Sequence, residues 1–397
     1  MPRVLLIMAM AALLSSFCSI VLADDVDSSA GGAAAEANDG SLAALFKFGS
    51  AAAIKSALDL GANVNLTSGA DGLTPLMMAA AFNPDNDAVR LLLARGAQVN
   101  ARESNYGLTS LMFAASFNKP VIVQILIDGG ADLNMRDNWG STALHYAAIN
   151  KVNPAAAFIL IKAGADTAAK DLSGRTPLMQ SIVAGKPETL HVLWSATVDK
   201  EMTDEAGLGP VALAALYNEN PVFISVLAQL GAKLEQRNSE GRTPFLLAAG
   251  ASGVKILETL KEAGADHAAC DNTGADALIL ASLENSRPEV INYLLATGAD
   301  LNAKRTNGLT PLLAAAGNRE PEIAKTLILN GADVSASEGN GRTALMLAVW
   351  LNDNEEVAKV IFNGGADPLA KDNDGHTALD YAGDNRPELV EFLSKSR

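Results

Sequence analysis

The sequence predicts an all-α solenoid of about eleven helix–turn–helix units joined by short β-hairpin-like loops, and three observations predict it. Glycines recur at Gly72, Gly107, Gly140, Gly174, Gly207, Gly241, Gly274, Gly308, Gly341 and Gly375, separated by 33 to 35 residues, a period that marks stacked supersecondary units rather than separate globular domains. Most of these glycines introduce the same pattern: Thr-Pro-Leu or a close variant, an Ala-rich helix, a polar turn, a second apolar helix and Gly-Ala-Asp. The composition agrees. Apolar residues make up 49% of the 397, yet aromatics only 5%, so small side chains must let helices approach closely.

Taken in chain order, residues 1–23 read as an export signal: Met1-Pro2-Arg3 is a short basic start, Val4 to Val21 is almost wholly apolar, and Val21-Leu22-Ala23 fits a leader-peptidase site. A lipoprotein is not expected at Cys18, because the bulky Phe17 precedes it. Residues 24–38 combine acidic and small residues and are expected to be a flexible linker, unable to bury enough area to offset the entropy of ordering. The repeat domain is expected over 39–397. Its first unit, residues 40–65, lacks Thr-Pro-Leu, and its last stops after Leu393 without Gly-Ala-Asp, as expected of capping units.

Within a unit, the threonine caps the first helix with its hydroxyl and the following proline sits where no amide hydrogen is needed. Leu76, Leu111, Leu144, Leu178, Phe245, Leu278, Leu312, Leu345 and Leu379 then recur as a core position, and pairs such as Ala114-Ala115 face the neighbouring helix. Glycines such as Gly130 and Gly298 end the second helix in the left-handed conformation. One junction departs from the pattern. Ser195-Ala196-Thr197-Val198-Asp199 replaces a glycine turn, and Gly207-Leu208-Gly209-Pro210-Val211 loses the threonine cap, which marks residues 195–211 as a candidate bend or weak point.

Runs such as Asp71-Gly72-Leu73-Thr74-Pro75-Leu76 and Gly308-Leu309-Thr310-Pro311-Leu312, with closing turns such as Gly130-Ala131-Asp132, resemble the ankyrin-repeat family over residues 39–397. Together with the leader, the resemblance is to a bacterial exported type. It implies a protein-binding module or scaffold in the periplasm or outside the cell; the competing class is a structural or protective protein that stabilises an exported enzyme or envelope assembly. His145 matches the histidine of the family's Thr-Pro-Leu-His pattern, which implies a hydrogen bond between units rather than catalysis.

The formal charge of −15 disfavours nucleic acid as a partner, and no stable membrane insertion is expected once the signal is removed. A soluble monomer binding an unidentified protein is expected. No phosphate-binding loop, His-Glu-x-x-His, Cys-x-x-Cys or Gly-x-Ser-x-Gly is present, so neither catalytic residues nor cofactor nor metal ligands are expected. His267 and Cys270 are near in sequence but lack a third ligand. Cys270 is either a small apolar filler or an exposed thiol. The repeated aspartates, such as Asp132 and Asp166, are expected to bond within their own turns.

The family resemblance implies that partners bind along the inner helices and hairpin tips. The candidate residues are Arg102, Tyr106, Phe113, Phe117, Arg136, Trp139, Tyr146 and Ile149. Tyr106 and Trp139 each precede a repeat glycine in adjacent units and should lie together. Either they anchor a partner as part of an exposed apolar patch rimmed by arginines, or they cover the neighbouring hairpin.

Overall fold

The computed structural model describes residues 39–68, 72–117, 119–149, 154–383 and 386–394. The expected signal and linker, residues 1–38, lie outside the described residues, as do Asp71, Asn118 and Asn153. The chain divides into two compact units between Val198 and Asp199, within the turn that departs from the sequence pattern.

The first unit holds α1 (Asp39–Phe48), α2 (Ala51–Asp59), α3 (Pro75–Phe82), α4 (Asn86–Ala94), α5 (Ser110–Ser116), α6 (Pro120–Asp128), α7 (Ala143–Ile149), α8 (Ala155–Lys162), α9 (Pro177–Val183) and α10 (Pro187–Ala196). The odd-numbered helices pack in succession, and each also packs on its even-numbered partner. Caps and prolines place the helix starts: the Thr74, Thr109 and Thr176 hydroxyls accept from the Met77, Met112 and Met179 amides at 3.3, 3.3 and 3.4 Å. Leu76, Leu111, Leu144 and Leu178 then enter the core, joined from the even helices by Val89, Leu92, Val123 and Leu126.

The second unit holds α11 (Pro210–Tyr217), α12 (Val222–Gln229), α13 (Pro244–Ala251), α14 (Val254–Glu262), α15 (Ala277–Glu284), α16 (Pro288–Ala296), α17 (Pro311–Ala316), α18 (Pro321–Leu329), α19 (Ala344–Leu351), α20 (Glu355–Asn363), α21 (Ala378–Ala382) and α22 (Pro387–Ser394). The same alternation of packing recurs. Gly209 precedes α11 without a side-chain cap, as the sequence pattern implies, whereas Asp276 takes the place of threonine ahead of α15 and accepts from the Ile279 amide at 2.8 Å.

The twenty-two described helices form eleven pairs in an all-α solenoid arrangement. The connecting hairpins carry only isolated antiparallel bridges among the described residues, Ser68 with Leu73 and Ser337 with Thr343. Backbone bonds join hairpins of successive pairs: Asn138 N–H donates to the Tyr106 carbonyl and Leu172 N–H to the Trp139 carbonyl, both at 2.8 Å.

A buried amide ladder adds a second connection. In the second unit, Asn285 Nδ2 donates to the carbonyls of Ala249 and Ser252, Asn318 to those of Ser282 and Asn285, and Asn352 to those of Ala316 and Asn318. Arg386 takes over at the last pair, donating to Val349 and Asn352. These bonds satisfy carbonyls at the ends of helices where no intrahelical partner remains.

Candidate functional site

The candidate residues occupy two levels of the first unit. At the hairpin edge, the Glu103 carboxylate is buried and accepts from the amides of Asn105, Tyr106 and Leu108 at 2.7, 2.7 and 3.1 Å. One pair later, Asp137 Oδ1 accepts from the amides of Trp139 and Ser141, both at 2.8 Å. The two hairpins therefore have matching shapes, and the rings they carry stack with centroids 5.1 Å apart and planes 18° from parallel. Tyr106 and Trp139 are both half-buried. The next hairpin adds Leu172, which sequence reasoning did not single out and which is 67% exposed. Its backbone amide donates to the Trp139 carbonyl, so Leu172 stands beside Trp139 in the register that Asn138 holds beside Tyr106.

Below this edge, Phe82, Phe117 and Ile149 occur at the ends of α3, α5 and α7, all half-buried. Phe82 and Phe117 meet edge to face, with centroids 5.2 Å apart. Phe113 and Tyr146 are different. Each is only 3% exposed, which corrects the expectation that they belong to an exposed patch. Tyr146 is drawn inward because its hydroxyl donates to Asp137 Oδ2 at 2.6 Å, tying α7 to its hairpin. Burial pushes the Asp137 carboxyl above its ordinary pKa, although the bonds from Tyr146, Ser141 and Trp139 oppose this. Burial and the Asp137 charge likewise raise the Tyr146 phenol. Met78, Leu213 and Leu280, on the first helices of other pairs, are buried too.

Arg102 and Arg136 are exposed, but they do more than rim a patch. Arg102 Nη2 donates to Asn138 Oδ1 at 3.1 Å, and Arg136 Nη1 donates to the Gly140 carbonyl at 3.0 Å and to the Lys170 carbonyl of the following hairpin. Each guanidinium thus joins successive hairpins.

Other candidate chemistry resolves into packing. His145 is buried, with Nδ1 accepting from the Thr142 amide at 3.1 Å and Nε2 bonding the Arg175 carbonyl of the next pair at 3.0 Å. Asp372, Asp374 and His376 bring three possible ligand atoms within 4.8 Å of one another. Yet Asp372 already accepts from the amides of Asp374 and His376 and from the Tyr381 hydroxyl, the arrangement that Asp137 makes with Tyr146. The turn aspartates behave as the sequence suggests: Asp132 and Asp166 accept from the amides of Asn134 and Ala168, both at 2.9 Å. Cys270 is exposed, and burial of its sulfur together with nearby aspartates raises the thiol pKa, which lowers its reactivity.

A family model described as "Ankyrin repeats (3 copies)" matches residues 41–137, 111–206, 211–305, 278–372 and 312–397. The chain belongs to the ankyrin-repeat family. Among its relatives, Neurogenic locus notch homolog protein 1 of Mus musculus is 31% identical over 120 residues, 30% of this chain and 5% of that protein. B-cell lymphoma 3 protein homolog of Mus musculus is 27% identical over 141 residues, 35% of this chain and 32% of that protein. NF-kappa-B inhibitor delta of Mus musculus is 31% identical over 122 residues, 26% of this chain and 37% of that protein. The ankyrin-repeat chain thus matches only a twentieth of the Notch relative's length.

These relatives overturn the bacterial exported type, and with it the signal, periplasmic and secreted assignments. They are mammalian proteins. The family match is to ankyrin repeats, and the sequence carries none of the catalytic motifs named above. Among the described residues no helix is long and apolar enough to cross a membrane.

Proposed function

We propose that this ankyrin-repeat chain is a monomeric protein-binding scaffold that docks a protein partner, not nucleic acid, along residues 102–172. The observation that carries the reading is the stacked Tyr106–Trp139 pair, with exposed Leu172 on the next hairpin. Large rings fixed at an edge lose little side-chain entropy when a partner covers them, and such residues dominate interface energetics. Phe117 and Ile149 extend the contact surface below the edge, while Phe113 and Tyr146 support it from inside.

The test is Trp139→Ala in the full chain, with partner affinity measured by calorimetry alongside a thermal melt. A partner recovered by affinity capture should bind the variant about 2 kcal/mol or more weakly, with helical content unchanged. Unchanged affinity with a markedly lower melting temperature would instead assign Trp139 to packing between hairpins.

A further inference from the structure

The second unit holds a cavity of about 190 Å³ between the hairpin at His267 and the start of α15, with Cys270, Asp276, Leu278, Leu294 and Asp300 also on its walls. Two departures from the repeat pattern meet there. The first is a missing latch. At the same register of other hairpins, Asn65 and Asn100 donate to the Gly96 and Gly130 carbonyls that close the next pair. Asn65, Asn100, Asn134, Glu235 and Asn302 also accept from the amide two residues beyond that closing glycine. Ala268 holds this register ahead of Gly298 and Asp300 and has no group with which to bond, so the Gly298 carbonyl is left open at the cavity.

The second departure is a charge. Asp276 replaces the usual threonine cap; its Oδ1 accepts from the Ile279 amide at 2.8 Å, and Asp300 Oδ1 accepts from Asn302 at 2.9 Å. Among the described residues neither carboxylate forms an ion pair. Burial, joined by the Asp300 charge, holds the Asp276 carboxyl above its ordinary pKa, against the bonds from Ile279 and Leu278. Arg237 acts on the nearby Cys270 thiol, but it is not on the cavity wall and donates to the Gly241 and Cys270 carbonyls at 2.6 and 2.7 Å. Two carboxylates and an open carbonyl thus surround a space with apolar walls and no cation in it.

The volume lies below the about 300 to 1,000 Å³ of pockets for whole small molecules and suits a single side chain. A lysine head has three donors and no acceptor, and its alkyl stem packs on apolar surface. We infer that this cavity receives a lysine side chain of a protein partner: Asp276, Asp300 and the Gly298 carbonyl take the ammonium, and Leu278 and Leu294 line its stem. The formal charge of −15 favours encounter with such a basic partner. This docking point is independent of the Tyr106–Trp139 edge.

The test uses the full chain with Cys18→Ser, so that Cys270 is its one thiol. The probes are a capped pentapeptide with lysine between alanines, its norleucine and arginine analogues, and free 1,5-diaminopentane. The lysine peptide should bind at least about tenfold more tightly than the norleucine peptide and slow disulfide exchange at Cys270 several-fold. Asp276→Thr, which restores the cap used elsewhere, should abolish that preference; Asp300→Asn, which leaves the Asp276 cap in place, should weaken it and serves if Asp276→Thr melts early. Trp139→Ala should change none of these values, so this inference and the docking edge fail separately. Equal binding of the lysine and norleucine peptides, no binding of either, no protection of Cys270, or a lysine preference that survives both aspartate variants overturns the site. Tighter binding of the arginine peptide overturns the choice of lysine, and tighter binding of 1,5-diaminopentane overturns the protein source.

Discussion

His145 shows how one side chain couples two helix pairs through its protonation state. A backbone N–H can only donate, so Nδ1, which accepts from Thr142, carries no proton, and Nε2–H donates to the Arg175 carbonyl. Burial holds the imidazole pKa below its ordinary value, with the Arg175 bond and Asp171 opposing that shift and Arg136 adding to it. The unfolded chain therefore takes up the proton first as pH falls. The stability contribution is complete above about pH 6.5 and declines from there toward the lowered folded-state value. Urea midpoints at neutral and mildly acidic pH should show this decline in the parent and a smaller one in His145→Ala. The amide ladder gives a second test. Asn318 joins two carbonyls that would otherwise be stranded, so Asn318→Ala should cost about 1 to 3 kcal/mol in equilibrium unfolding.

Glycines that look alike in the repeat have different reasons to be glycine. Gly130, which follows α6, has φ +86°, and a Cβ there would meet nothing within 4 Å. Gly140, in the Trp139 hairpin, has φ +77°, and its Cβ would lie 3.2 Å from the Leu172 nitrogen and 3.3 Å from the Asp171 Cα. Gly130→Ala should thus cost only the left-handed backbone strain, about 1 to 2 kcal/mol, and Gly140→Ala more, because a neighbouring hairpin must move. Thermal melts of the two variants would rank them. The threonine caps act at the same level: Thr310 accepts from the Leu313 amide at 3.4 Å, and Thr310→Ala should destabilise by about 1 kcal/mol.

For the molecule as a whole, stability and binding reside in different residues of the same helix pairs. Phe113 lies in the core, so Phe113→Ala should lower stability by about 3 to 5 kcal/mol. Any loss of partner affinity in that variant should follow from the fraction folded and disappear under conditions that keep it native. Trp139→Ala should do the reverse, losing affinity with little change in the melt. Comparing the two in one titration series separates a supporting residue from an anchoring one.

The sequence by itself determined the period, the order of the two helices in each unit, the threonine and proline starts and the glycine stops, because these are local signals within a few residues of one another. It also placed Tyr106 and Trp139 together, since one repeat period relates them. Only the tertiary structure decided which apolar residues face outward. Phe113 and Phe117 share a helix turn, yet one is core and the other half-buried, and Tyr146 turns inward to an aspartate nine residues earlier. The amide ladder, the arginine bonds between hairpins and the exposed Leu172 were hidden for the same reason: their partners lie some 33 to 37 residues away and meet only when successive pairs stack.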